Sequence, residues 1–425
     1  MRPWQLLSKA KLYWPSMVNR THSAPHHVKL LDAVQGQPRS VWVVAFAAVI
    51  AFMGIGLVDP ILLSIAKGLH ATPIQVTLLF ASYLVVQVLA MLVTGSLASR
   101  YGGKRTMIAG LALIVVFAGS CAAANSIDQL VTLRAFWGLG NALFIATALS
   151  TIVASAAGGQ TAAILLYEAA LGLGISSGPL VGAVLGTISW RGPFLGTSLL
   201  MLVALVLTAT MLRREQPTPT RTSIRAPFRA LRDRRLLIVA LAAMLYTYGF
   251  FTVLAWTPFV LGYGPFAVGA IFFGWGLMVA VCGVVVGPRL AARIGERNAT
   301  VLALAMYTLL LLAFIWGPRP VVVAATVVSG IASGCLNTFL TGMAMSVSDA
   351  PRPIASAGYN FLRWLGGAAA AILVGHLAVW GHSPRAPFVV AAVLSVGPVM
   401  LMYLGRRAPN PHAVPAEAAV VGEQL

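Results

Sequence analysis

The amino-acid sequence predicts an all-α membrane protein with twelve transmembrane helices, arranged as two six-helix bundles related by pseudo-twofold symmetry. Three observations carry this expectation. Of the 425 residues, 59% are hydrophobic and 9% are charged, whereas soluble domains carry about 25% charged residues. Water is therefore not the main solvent of this surface. Twelve apolar stretches are each long enough to cross a bilayer core, which takes about 20 residues in helix. The second half of the chain also repeats features of the first at a nearly constant offset.

Taken in order, the stretches lie at 41–66, 75–98, 106–124, 129–155, 161–186, 193–212, 236–261, 265–288, 298–316, 320–345, 354–379 and 387–405. Connections between them are short, with one exception. Residues 213–235 hold eight Arg together with Pro217, Pro219 and Pro227, and only Glu215 and Asp233 as acids. The resulting division is a tail over 1–40, a six-helix bundle over 41–212, a basic linker over 213–235, a second bundle over 236–405 and a tail over 406–425.

A net charge of +19 would suit a nucleic-acid binder, but a mean hydropathy of +0.87 does not. The distribution of the charge resolves the conflict. With the N-terminus inside, 23 of the 29 Lys and Arg fall on the inner side and 4 in outer loops, while Arg134 and Arg363 lie within spans. Cytoplasmic loops carry such an excess. The expected placement is thus a multi-pass protein of the plasma (inner) membrane with both termini cytoplasmic. Its inner surface would contact anionic lipid heads, and no nucleic-acid partner is expected.

The first 40 residues carry six basic side chains and one acid, Asp32. This segment has no apolar core of the signal-peptide kind. It reads as a cytoplasmic tail, as a transit sequence, or as an extension upstream of a start at Met17. Cys121, Cys282 and Cys335 all fall in apolar spans, so no disulfide framework is expected.

The repeat is visible residue by residue. Leu97-Ala98-Ser99-Arg100-Tyr101-Gly102-Gly103-Lys104 follows span two, and Leu290-Ala291-Ala292-Arg293-Ile294-Gly295-Glu296-Arg297 follows span eight, 193 residues later. Val58-Asp59-Pro60 in span one pairs with Trp256-Thr257-Pro258 in span seven, and Asn141 in span four with Asn337 in span ten. Parallel repeats of this kind are related by an axis along the membrane normal and place a binding cavity near the midplane, which is a transport geometry.

These residues support a comparison. The loop from Gly95 through Arg100, Gly102, Gly103, Lys104 and Arg105 resembles the signature between spans two and three of the major facilitator superfamily. Arg134-Ala135-Phe136-Trp137-Gly138 resembles the family's span-four motif. The run with Gly174, Gly178, Pro179 and Gly182 resembles the span-five element of its antiporters, and Gly54 to Pro60 the first-span element of the twelve-span drug:proton antiporters. The resemblance covers residues 41–405. It implies a proton-coupled secondary transporter that exports small amphipathic or drug-like compounds by alternating access. It departs at Ser99, where the family usually has an Asp that latches the gate, so gating would fall to Arg100, Lys104 and Arg105 through other partners.

Ionisable side chains within a span cost roughly 2.5–3.5 kcal/mol on insertion scales and mark functional sites. Four stand out: Asp59, Arg134, Glu168 and Arg363. Asp59 is the expected proton site, with Arg134 at similar depth modulating it. The alternatives are a static Asp59–Arg134 pair or a cap at a Pro-broken helix. Glu168 reads as a second proton site or as a polar clamp. Arg363 either binds an anionic substrate or snorkels to the surface. His376 reads as a lone histidine on an apolar helix.

Asn141, Asn337, Tyr246, Tyr248 and Trp256 are the candidate cavity residues, set against interhelical packing for the asparagines. For the span-seven aromatics, Phe250, Phe251 and Phe259 included, the alternative is a lipid-facing belt. No phosphate loop, dinucleotide fingerprint or metal-ligand spacing appears, so neither enzyme activity nor a cofactor is expected. The expected partners are a small-molecule substrate, protons and the lipid bilayer, with the chain acting as a monomer. A proton-coupled uptake permease and a transport-inactive sensor or partner protein are the rival readings.

Overall fold

The structure is a computed structural model that describes residues 36–155, 157, 159–212, 225–348, 350 and 352–404. The leader, most of the basic linker, the C-terminal tail and the side chain of Glu168 lie outside the described residues. Each expected stretch meets a helix. Eleven are long and apolar enough to cross a membrane. The twelfth, Ala386–Leu404, has 19 residues, which at 1.5 Å per residue reaches about 28 Å.

Span one is broken. It runs as Arg39–Gly56, a 3-10 turn over Asp59–Ile61, and Leu62–Gly68. Pro60 has no N–H to donate to the preceding turn, and the backbone recovers with a short bond from Ile61 N to Val58 O at 3.0 Å. Span two, Pro73–Tyr101, starts on a capping box. Thr72 Oγ1 accepts from Gln75 N at 3.3 Å while Thr72 N donates to Gln75 Oε1 at 2.9 Å. It stops at Gly102, whose φ of 89° and ψ of 147° lie near a region open essentially to glycine alone.

Spans three to six are Gly103–Ala122, Ile127–Ser155, Gly159–Ile188 and Gly192–Met211. After the short linker helix Ala226–Ala230, span seven (Arg234–Leu261) is capped by Asp233, which accepts from Arg235 N at 2.9 Å. Span eight is less regular than the apolar run suggests: Pro265–Val281, a π-turn over Cys282–Val286, then Gly287–Ile294. Pro288 supplies no N–H to the turn before it, and the ladder loosens there. Spans nine to eleven are Glu296–Trp316, Arg319–Ser346 and Arg352–Trp380.

The repeat becomes a repeat of contacts. Span two packs on four, three on four and six, and one on five; span eight packs on ten, nine on ten and twelve, and seven on eleven and twelve. Gly138 lets span four sit against the carbonyl of Tyr83 in span two, and Gly334 lets span ten sit against that of Val279 in span eight. Both residues of the second pair lie 196 positions after the first.

The two halves meet along spans five and eight and along spans two and eleven. A Cβ on Gly276 would lie 2.5 Å from Ser176 Cα, so span eight rides directly on span five. Large apolar side chains of span six, among them Leu199, Leu202 and Val206, remain exposed. An apolar exterior of that kind suits a lipid environment.

Cations close the helix ends. At the start of span three, Lys104 donates to Ala209 O at 2.7 Å and to Leu212 O at the end of span six. Arg297, at the start of span nine, donates to Met402 O at the end of span twelve. At the opposite ends, Arg191 reaches Ala122 O at 3.1 Å and Arg385 reaches Ile315 O at 2.9 Å. The last carbonyls of a helix lack partners within it and carry partial negative charge, which is why Lys and Arg settle there.

Candidate functional site

Asp59 lies in the 3-10 turn of span one and is completely buried. Neither carboxylate oxygen has a hydrogen-bond partner among the described residues. The turn is pressed against span five by a glycine stripe. A Cβ on Gly174 would stand 2.5 Å from Val49 O, one on Gly178 would stand 2.5 Å from Met53 O, and one on Gly182 would collide with Leu57 O. Spaced four apart, these glycines share one helix face, so span one seats backbone against backbone. Pro179 meets the same seam, its Cδ 3.0 Å from where a Cβ on Gly56 would be.

Arg134 is also fully buried, but it does not bond to Asp59. Its Nε donates to Leu79 O at 3.5 Å and its Nη1 to Gly54 O at 3.4 Å. The guanidinium sits 4.6 Å from the Tyr83 ring and 4.5 Å from the Trp137 ring. It therefore fastens spans one, two and four, and acts on Asp59 only through its charge. A static ion pair between the two does not form.

The paired asparagines differ. Asn141 Nδ2 donates to the Tyr83 hydroxyl and, at 3.4 Å, to Gln87 Oε1, which joins span four to span two. Asn337 instead lines a cavity between the two halves, where its Oδ1 accepts from Arg363 Nη2 at 3.0 Å. Arg363 does not snorkel away; it forms part of the same wall. Phe52, Ile55, Leu171, Ile175, Thr247 and Trp364 also line the cavity. Its free interior is about 20 Å3, room for a single water. A drug-sized ligand needs several hundred Å3, so the halves must part to admit one.

The aromatic set of span seven is packed inward rather than toward lipid, and of it only Phe250 and Phe251 reach the cavity. The Tyr246 hydroxyl donates to Ser333 O at 3.3 Å, and its ring meets Tyr307 edge-on at 5.4 Å. Tyr248 is buried away from the cavity, and Trp256 Nε1 donates to Pro384 O at 2.7 Å. Phe259 is half-buried beside Trp256. His376 bonds only within its own helix, to Ile372 O at 3.0 Å.

The expected loop over Gly95–Arg105 is helical except at Gly102: Gly95 and Arg100 lie in the last turns of span two and Arg105 in the first turn of span three, all three exposed, with Arg100 over the Tyr101 ring at 5.4 Å. Gly103 opens span three beside Lys104. Ser99 bonds back to Ser96 O at 2.9 Å. The cavity residues Phe52, Leu171 and Thr247 carried no sequence signal of their own, being ordinary span residues.

The profile of the Major Facilitator Superfamily matches residues 44–371. The multidrug efflux protein YfmO of Bacillus subtilis (strain 168) is 44% identical over 373 residues, 87% of this chain and 94% of that protein. Multidrug resistance protein 1 of the same organism is 27% identical over 178 residues, 41% of this chain and 46% of that protein. The solved structure of the human organic anion transporter MFSD10 (TETRAN) has the same fold, with a TM-score of 0.66 at 20% identity over 86% of this chain and 100% of that one. Twelve helices, a duplicated packing scheme and these matches agree: the chain belongs to the Major Facilitator Superfamily and is a membrane transporter, not an enzyme.

Proposed function

We propose that this transporter exports small amphipathic compounds in exchange for protons by alternating access, with Asp59 as the exchangeable proton site. The observation that carries the reading is a fully buried carboxyl that no donor holds, placed where span one breaks against the glycine seam of span five. A carboxyl so placed can exchange its proton whenever motion of the seam lets water reach it. A bonded ion pair would resist that exchange. Arg134 sets the local field from a fixed position in the same half. Glu168, in span five, is a second candidate for proton exchange. The name of the relative YfmO, a multidrug efflux protein, supports export over uptake.

In this reading, Gly174, Gly178, Pro179 and Gly182 keep the seam tight against proton leak. Gly102 and Gly103 shape the junction of spans two and three, at which Arg100, Lys104 and Arg105 govern opening at the cytoplasmic face. The protein works as a monomer in the plasma membrane with both termini cytoplasmic. Everted vesicles carrying a preset pH gradient test it. Substrate-dependent proton release is expected from the unmodified protein and none from Asp59→Asn. Normal exchange by Asp59→Asn would remove Asp59 from the mechanism, and proton movement in the opposite sense would mean symport.

A further inference from the structure

Among the described residues, one charged side chain lines the cavity between the halves, and it is a cation. Among the described residues Arg363 has a single hydrogen-bonded partner there, the neutral amide oxygen of Asn337 at 3.0 Å, with the Trp364 ring centroid 5.6 Å away. A guanidinium carries five N–H donors in a fixed fork, so most of its capacity is not taken up by acceptors among the described residues. Among the described residues, no carboxylate lines that cavity. Beside it lies Thr247, 3% exposed, whose hydroxyl has no hydrogen-bond partner.

The contrast with Arg134 is informative. That cation is enclosed by carbonyls and two rings, and although its Nη2 has no partner among the described residues, it is fully buried away from the cavity. Arg363 is only half-buried and opens onto the space between the halves. The repeat makes the same distinction, since Asn141 is consumed by Tyr83 and Gln87 while Asn337 orients Arg363.

We propose that Arg363, oriented by Asn337 and assisted by the Thr247 hydroxyl, recognises an acidic group on the substrate. The exported compounds would then be amphipathic acids, carboxylates or sulfonates on an apolar aromatic body. This rests on the export reading and names its substrate class. A guanidinium pairs with a planar or tetrahedral oxyanion through two parallel N–H bonds. Phe250, Phe251 and Trp364 supply the apolar surface for the body. An organic cation would meet a like charge in a space that no described carboxylate lines.

The test uses the full-length protein in detergent and three radiolabelled probes with one body: 2-naphthalenesulfonate, 2-naphthalenesulfonamide and 2-naphthylmethylammonium. The sulfonate should bind at least about tenfold more tightly than the other two, the range of a charge-assisted bond. Arg363→Gln should weaken sulfonate binding roughly ten- to a hundredfold and change sulfonamide binding by less than about twofold. Arg363→Lys should fall between, since it keeps charge without the fork.

Equal losses for all three probes in Arg363→Gln, or no preference for the sulfonate, would overturn the proposal. So would Glu168→Gln reproducing the Arg363→Gln pattern, which would make Arg363 a partner of that acid. Proton exchange in everted vesicles is scored separately. Exchange with the ammonium or sulfonamide but not the sulfonate sinks the acid assignment and leaves export standing, while no proton exchange with any probe sinks export itself.

Discussion

Replacing Gly178 by Ala adds one methyl group at the seam between spans one and five. That Cβ would stand 2.5 Å from Met53 O, about 0.9 Å inside an ordinary contact of roughly 3.4 Å, and the obstacle is backbone that cannot rotate aside. Spans one and five would have to separate by nearly that amount, at an overpacking cost of about 1–3 kcal/mol. Helix propensity returns up to about 1 kcal/mol, because Ala is the better helix former. Gly274→Ala provides the matched control: its nearest neighbour would be Val327 Cγ2 at 3.6 Å, so it takes the propensity gain without the clash.

Thermal unfolding in detergent, followed with a thiol-reactive dye, measures both. The free cysteines Cys121, Cys282 and Cys335 are all buried and react only on opening. Gly178→Ala should unfold a few degrees lower than Gly274→Ala and should also slow transport. Equal stability and equal transport for the two variants would refute the claim that the stripe is a backbone-to-backbone seam.

Three further outcomes are expected. Arg134→Lys should lower stability by about 1–3 kcal/mol, since an ammonium cannot bond two carbonyls while stacking on Tyr83 and Trp137; an unchanged melting temperature would count against its fastening role. Gly102→Ala and Gly295→Ala, with φ of 89° and 83°, should each cost about 1–3 kcal/mol from backbone strain, whereas Gly264→Ala, with open space at its Cβ, should cost much less. Trp256→Phe should lose the bond to Pro384 O, worth about 0.5–1.5 kcal/mol, without altering probe binding at the cavity.

The fold was legible because a bilayer imposes coarse rules on a sequence. Length and apolarity located all twelve helices. The π-turn of span eight was not legible, because it arises from how Pro288 interrupts a ladder whose neighbours decide the repair. For the site, the cost of a charge inside a span draws attention to Asp59, Arg134, Glu168 and Arg363. Their partners were another matter. Asn141 and Asn337 occupy equivalent positions, yet one is tied up by Tyr83 and Gln87 while the other lines the cavity. That difference depends on which residues oppose each asparagine across a helix interface, and helical periodicity in a uniformly apolar segment carries no such information. The same blindness put the inward-packed Tyr246, Tyr248 and Trp256 among the cavity candidates and overlooked Thr247.

The cationic contacts at the helix ends have a mechanical consequence. Spans three and six are joined at one end through Lys104 and at the other through Arg191, and spans nine and twelve likewise through Arg297 and Arg385. Each pair is thus a strut pinned at both tips, with little freedom to twist or slide. Pro398 in span twelve apart, the interruptions in the ladders fall elsewhere: Asp59–Ile61, Pro179, Pro258 and Cys282–Val286 lie in spans one, five, seven and eight. Two stiff struts would leave compliance to the other helices, so that bending during a transport cycle is channelled to the seam that holds Asp59 and to the walls around Arg363.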